Sequence, residues 1–318
     1  MPATDGKQPA FLAESEGRGN TLSGPGSTTG RVSSTIGQML ARLIDPLMRR
    51  MLHPPMRTPR PLPPVLAARA EDASIPADTL NIKAWLLRPD GPPQGLAVFV
   101  HGWSSDGGRM APLAGHALAH GLAVLLVDLP GHGRTGPVAT YNAALMVEDL
   151  RAVRDWVATR VDLRELPAAL VGYSFGGLGA YVAASRDARW SALVVVAAPL
   201  GPVAAARLYL DGQGLPGRWM EGLVRRSFVR TVGVDPDTFD GARNLSSIRV
   251  PVLIVHGESD EVVPVWHAER LEAAVPRGLG TLLRVAGASH SGLLVDDGVG
   301  ERIAAFLASH LKSKVETA

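Results

Sequence analysis

The sequence contains no cysteine at all in 318 residues, which excludes disulfides, thiolate metal sites and a cysteine nucleophile. Lysine is nearly absent too: four of the 32 basic side chains are Lys and the rest are Arg. The isoelectric point near 9.1 is therefore misleading, because arginine does not titrate in that range and the formal net charge is only +2. With 32 basic against 30 acidic residues there is no electrostatic case for a nucleic-acid partner. No unbroken apolar run reaches the ~18 residues of a spanning helix. The N-terminus also lacks the charged-then-apolar pattern of a signal peptide, so cytoplasmic residence is the default expectation. What is present is an apolar share of 46%, enough for a sizeable core, in a chain long enough for one large or two small domains.

Composition divides the chain. Residues 1–34 are rich in Gly, Ser, Thr and Pro and are expected to be a disordered tail. From Ile36 to Leu52 apolar residues recur at steps of three and one, a stripe at helical spacing, with Pro46 expected to kink or break it near Ile44 and Asp45. The stripe suits a helix docked on the body; the alternative is an interfacial helix at residues 36–52 that rests on a membrane or caps a substrate entrance. Arg42, Arg49, Arg50, Arg57 and Arg60 bunch in this leader against a single acid, Asp45, so any attraction to an acidic surface belongs here. A Pro-rich, extended linker from Pro54 to Pro64 completes a segment of 35–64.

Strand and helix signals alternate over residues 65–318. Two β-type runs, Val65–Ala73 and Leu80–Leu87, precede near-continuous apolar runs at Leu96–Val100, Leu122–Val127, Ala168–Gly172, Ala192–Ala198, Val252–His256 and Thr281–Val285. Helical patterns separate them at Ala111–His120, Ala143–Val161 and Phe175–Arg186. Apolar runs without alternation mark strands covered on both faces, and their succession with helices predicts a mostly parallel, doubly covered α/β sheet. The interval 200–246 has no strand signal, only helical candidates at Val203–Leu210 and Trp219–Val232. An insertion there, over the C-terminal strand edge, is expected to be a helical cap.

The strongest local signal is Gly172-Tyr173-Ser174-Phe175-Gly176, set between an apolar strand and a helix. This is the context in which G-x-S-x-G exposes a nucleophilic hydroxyl on a tight turn. A serine at its ordinary pKa needs a general base, and the base needs an orienting acid. Asp260 lies just past the strand Val252–His256, and His290 just past Thr281–Val285, giving the order Ser, acid, His. Glu258 and Glu261 flank Asp260 as rival acids. Oxyanion donors are expected at the backbone N–H of Phe175, which opens a helix, and of Trp103, in the loop after the first parallel strand.

The runs His101-Gly102-Trp103, Asp128-Leu129-Pro130-Gly131-His132-Gly133, the serine turn, the run ending at Pro264 and the late His290 together resemble the α/β-hydrolase superfamily, over about residues 65–310. The likeness is to its cap-bearing esterase, monoacylglycerol-lipase-like and serine-aminopeptidase-like branches. It implies an α/β-hydrolase fold, Ser174 as nucleophile, His290 as base, Asp260 as acid, oxyanion donors at Phe175 and Trp103, and no cofactor.

The function expected is hydrolysis of a small-molecule carboxylic ester through an acyl-enzyme, with an apolar acyl or alcohol moiety. Trp103, Tyr173 and Trp219 are the candidate substrate contacts. A peptidase or C–C-bond hydrolase on the same scaffold is the alternative, and an idle binding protein of this fold is a third reading. A Ser in place of an Asp nucleophile argues against epoxide or haloalkane hydrolysis. The remaining histidines read as structural: His256 packed at a strand end, His132 hydrogen-bonding in a loop, His267 on a solvated helix face. His116 and His120 share a helix face but lack the glutamate a zinc hydrolase helix needs, so no metal is expected.

Overall fold

Every residue of β3 (Leu96–Val100) is buried, and its side chains divide between two cores. Leu96, Val98 and Val100 enter one, Ala97 and Phe99 the other, as a period of two requires when both faces of a sheet are covered. The same split recurs in β4 (Ala123–Asp128), β5 (Ala168–Tyr173), β6 (Trp190–Val196) and β7 (Val252–Gly257). Each fully buried Val, Leu or Phe contributes about 1.5–3 kcal/mol, so these strands are the mechanical centre of the molecule.

The protein is described here from a computed structural model covering residues 44–78 and 80–312. The expected tail at 1–34 and the stripe as far as Leu43 lie outside the described residues. Eight strands form one sheet in the order β1-β2-β4-β3-β5-β6-β7-β8. β1 (Ala70–Ile75) and β2 (Ile82–Leu87) are antiparallel to their neighbours; β3 to β8 (Gly280–Val285) run parallel. One core carries Leu150 and Val153 from α4 (Ala143–Thr159) and Tyr181 from α5 (Phe175–Arg186), the other Leu113 from α3 (Ala111–Ala119) and Ile303 from α10 (Asp297–His310). This is the α/β-hydrolase fold, with a mostly parallel, doubly covered sheet.

One expected strand is corrected. The stretch read as β-type from Val65 begins instead with a helical turn, α2 (Pro64–Ala67), and β1 starts only at Ala70. Proline at the first helical position has its φ preset and lacks only an N–H that would go unpaired, so it starts a turn rather than a ladder.

Residues 44–51 form helix α1, through Pro46. Its apolar stripe faces protein: Met48 is 3% exposed, and Ile44, Leu47 and Met51 pack against the same core. Between β6 and β7 the chain makes α6 (Pro202–Gly212), α7 (Gly217–Val232), a 3-10 turn and α8 (Gly241–Ser246). α9 (Trp266–Ala274) follows β7. Among the described residues no helix is long and apolar enough to cross a membrane.

Candidate active site

The residues singled out above follow the C-terminal ends of parallel strands: Trp103 after β3, Ser174 after β5, Asp260 after β7 and His290 after β8. Open α/β sheets place their sites along that edge. Ser174 adopts φ 54° and ψ −118°, a conformation that costs a non-glycine residue about 1–3 kcal/mol. Two backbone bonds hold it there: its N–H donates to Val196 at 2.8 Å and its carbonyl accepts from Gly177 at 3.0 Å. The turn is possible only because two residues lack a Cβ. At Gly172 a Cβ would stand 2.5 Å from the Gly176 carbonyl oxygen, and at Gly176 one would stand 2.4 Å from the carbonyl oxygens of Val100 and His101.

The strained turn aims the hydroxyl at His290, whose Nε2 lies 3.1 Å from Ser174 Oγ. The other ring nitrogen, Nδ1, lies 2.7 Å from Asp260 Oδ2. With Nδ1–H donating to the carboxylate, the Nε2 lone pair faces the serine hydroxyl. Asp260 is itself fixed, because its Oδ1 accepts the backbone N–H groups of Val262 at 2.9 Å and Val263 at 2.8 Å. Burial alone would raise its pKa, but His290 and those two donors outweigh it and hold the carboxyl below its ordinary range. Chemically, the arrangement can draw a proton from Ser174 onto a base of defined tautomer.

The rival acid Glu258 is exposed and paired with Arg284 at 3.0 Å, and Glu261 is exposed too. Phe175 is the first residue of α5, where backbone N–H groups have no partner within the helix. The Trp103 ring lines the cavity above Ser174 and meets the Phe175 ring edge-on, 5.1 Å between centroids.

Two expected substrate contacts lie outside the cavity lining. Tyr173 is 4% exposed and lies outside the cavity lining; its hydroxyl donates to the His290 carbonyl at 3.3 Å. Successive strand residues point to opposite faces, so the residue before the serine enters the core beneath the base, where burial pushes its phenol up to about 12. Trp219 is 87% exposed and also outside the lining, because α7 turns Val224 and Phe228 inward and leaves residue 219 out of phase.

The expected place of His267 is corrected. It is fully buried, not solvated: its ring stacks on Trp266 at 3.8 Å, its Nδ1 accepts the Leu200 N–H, and burial pushes its pKa down to about 4. His256 is buried at its strand end and donates from Nε2 to the Val263 carbonyl at 2.7 Å. His132 donates from Nδ1 to the Pro130 carbonyl at 3.0 Å, and burial pushes its pKa down to about 3. The run from Asp128 to Gly133 is a turn folded around the Asp128 carboxylate, which accepts the Gly107 N–H at 2.7 Å and the Arg134 Nε–H at 2.8 Å. His116 and His120 face Asp297 and Glu301 of α10, and among the described residues no group of three acids or histidines is placed to hold a metal.

The cavity has a volume of about 570 Å³ and a mostly apolar lining that includes Ser174, Phe175, Leu208 and Phe228. One part of that lining comes from the stripe for which the sequence left several roles open, capping of a substrate entrance among them. Met48, Met51 and Leu52, from the segment before the sheet, also line it. Their stripe was visible in the sequence, but nothing local to it names the surface it covers.

Comparison with known proteins agrees with this architecture. A Mycolicibacterium smegmatis monoacylglycerol lipase is 28% identical over 233 residues, covering 63% of this chain and 82% of the relative. A Chromobacterium violaceum pimeloyl-[acyl-carrier protein] methyl ester esterase is 29% identical over 220 residues, covering 56% of this chain and 82% of that protein. An esterase of Pyrococcus furiosus shares the fold with a TM-score of 0.62 at 20% identity, over 81% of this chain and 97% of its own. The family model described as the alpha/beta hydrolase family matches residues 97–305, a span running from β3 into α10 that includes Ser174, Asp260 and His290. With well over half of its residues matched in this way, the chain belongs to the alpha/beta hydrolase family.

Proposed function

We propose that this protein is a serine hydrolase that cleaves a carboxylic ester with an apolar acyl or alcohol moiety. The observation that carries the reading is the continuous relay from Ser174 Oγ to His290 Nε2 at 3.1 Å and from His290 Nδ1 to Asp260 Oδ2 at 2.7 Å, opening on an apolar cavity. In the first half-reaction His290 takes the Ser174 proton as the oxygen attacks the ester carbonyl carbon. Asp260 holds the imidazole in the tautomer that accepts at Nε2 and stabilises the imidazolium. The backbone N–H groups of Phe175 and Trp103 donate to the oxyanion, where each such donor typically contributes a factor of about 10²–10³. Collapse of the tetrahedral intermediate breaks the C–O bond, and His290 returns the proton to the leaving alcohol. Water then attacks the acyl-enzyme with the same base, releasing the acid and restoring Ser174.

Residues 200–246 act in this reading as a cap that helps exclude water and supplies apolar contacts through Leu208 and Phe228. The lipase and esterase relatives favour the same chemistry over peptide cleavage. The test is labelling by a fluorophosphonate probe together with turnover of activated esters beside aminoacyl amides. Labelling lost in Ser174→Ala, with ester turnover exceeding amide turnover, is the expected result. Labelling that survives in Ser174→Ala removes the assignment of the nucleophile.

A further inference from the structure

The cavity above Ser174 is not built by the family body alone. Ser174 and Phe175 come from the sheet edge, Leu208 and Phe228 from the helices between β6 and β7, and Met48 and Met51 from α1. The last pair lies nearly fifty residues before the point where the family match begins. The segment that carries them is pinned at both ends. At one end Asp45 takes a two-pronged hydrogen bond from Arg230 of α7, Nη2 to Oδ1 at 2.5 Å and Nε to Oδ2 at 3.1 Å. The buried hydroxyl of Ser227, also on α7, donates to Oδ1 at 2.5 Å. The Arg230 hydrogen bond is the main reason the Asp45 carboxyl is held below its ordinary range. At the other end the Leu52 carbonyl accepts the Tyr141 N–H at 2.7 Å, and buried Pro54 sits where a Cβ on Gly131 would approach to 2.5 Å.

An anchor on α7 and an anchor on the loop before α4 fix the segment between them as a wall. Met48 is almost fully buried, whereas Met51 is half-buried, and both line the cavity. Among the described residues no acid lines this cavity; Arg50 and His53 of the same segment are part of its lining, but that lining is mostly apolar, so it suits hydrocarbon rather than an ammonium group. Thioether side chains are unbranched and adapt to a flexible chain better than branched ones do.

We infer that residues 48–52 form the chain-length-selecting wall of the substrate pocket, and that Met51 meets the far part of an extended alkyl chain on the scissile ester. The inference rests on the ester-hydrolase reading and names the substrate class of that same site: esters of linear, medium to long alkyl chains.

The experiment uses the full chain and a series of p-nitrophenyl esters from acetate to dodecanoate. The readout is the ratio of kcat/KM for long chains to that for acetate. Met51→Trp should lower this ratio by about tenfold or more, the discrimination a few methylenes of misfit produce in an apolar pocket. Met51→Ala should move the preferred chain length upward. Met56→Trp, the same change at an exposed position outside the lining, should leave the ratio as it is. A thermal melt of each variant reports folding, and if Met51→Trp does not fold the Met51→Ala profile decides alone. Identical profiles in the wild type and the Met51 variants overturn the inference.

Failure of the underlying reading looks different. If no ester is turned over and the fluorophosphonate does not label Ser174, the esterase reading falls and calorimetric titration with decanoate judges the wall instead. Weaker decanoate binding in Met51→Trp than in the wild type supports the wall; equal binding, or none to either, overturns it.

Discussion

His256 Nε2 stands 3.4 Å from Oδ2 of Asp260, the same oxygen that meets His290, yet its proton is directed to the Val263 carbonyl at 2.7 Å. Burial lowers the pKa of His256, so it stays a neutral packing group and leaves the carboxylate to His290. The other Asp260 oxygen is committed to the N–H groups of Val262 and Val263. This predicts the outcome of Asp260→Asn in detail. The two backbone donors keep the amide oxygen at the Oδ1 position, which turns the amide NH₂ toward His290 and forces the proton onto Nε2. A base protonated at Nε2 cannot accept from Ser174. Ester turnover should fall on the order of 10⁴-fold while the fold is kept. Glu258→Gln, which loosens only an exposed pair with Arg284, should change turnover less than about threefold. Steady-state kinetics of the two variants checks both; equal losses would reassign the acid.

A second prediction concerns pH. Asp149 is buried on α4, where it accepts the Tyr141 hydroxyl at 2.6 Å. Burial, with Asp78 and Glu148 nearby, pushes its carboxyl up to about 7, against the Tyr141 hydrogen bond that lowers it. A carboxyl with a raised folded-state pKa binds its proton more tightly folded than unfolded. Its contribution to stability is therefore fully present below the unfolded pKa of about 4 and is lost as pH rises toward 7. Asp149→Asn keeps an acceptor for Tyr141 and removes the titration. Subtracting its stability–pH curve from that of the wild type should leave a decline of at most ~1.4 kcal/mol per pH unit between pH 4 and 7, and a flat line above. Urea unfolding at several pH values measures it.

Legibility in the sequence followed the range of the interactions. The Ser174 turn was legible because a strand, a Gly-x-Ser-x-Gly spacing and a helix are contiguous in the sequence. Asp260 and His290 were legible because each stands just past an apolar run, and a parallel sheet gathers such ends along one edge. The direction of Tyr173 was available from strand alternation, since Val171 and Tyr173 share one core while Leu170 enters the other. His267 could be placed by helical phase with Ala268 and Leu271, which are buried beside it. No local pattern chose among the roles open to the α1 stripe, whose Met48, Met51 and Leu52 line the cavity. Its anchor joins Asp45 to residues 182 and 185 positions later, and only the folded chain brings them together.

The two exposed-or-lining tryptophans should separate cleanly in kinetics. Trp219 is 87% exposed and touches no part of the cavity, so Trp219→Ala should leave kcat, KM and melting temperature within experimental scatter. Trp103 lines the cavity and packs edge-on against Phe175 and His132, each at 5.1 Å between centroids. Trp103→Ala keeps the backbone N–H but loses that packing, which typically costs about 3–5 kcal/mol for a buried aromatic and less for a partly exposed one. It should raise KM for apolar esters and lower the melting temperature together. A raised KM in Trp219→Ala would return that side chain to the substrate path.

The close approach of α5 to β3 yields the sharpest stability contrast. At Gly176 an added Cβ would lie 2.4 Å from two backbone oxygens, Val100 and His101, neither of which can rotate away. Gly176→Ala must therefore push the first turn of α5 off the sheet, carrying Ser174 and the Phe175 N–H with it. A loss of about 3 kcal/mol or more is expected, together with a drop in turnover that exceeds any change in KM. Gly222, exposed in the interior of α7, has nothing within 4 Å of the same added atom. There the substitution only restricts the unfolded chain and improves helix propensity, so Gly222→Ala should stabilise the protein by about 0.5–1 kcal/mol. Urea unfolding and steady-state kinetics on the pair test the argument, and a Gly176→Ala protein as stable and active as the wild type would disprove the packing role assigned to that glycine.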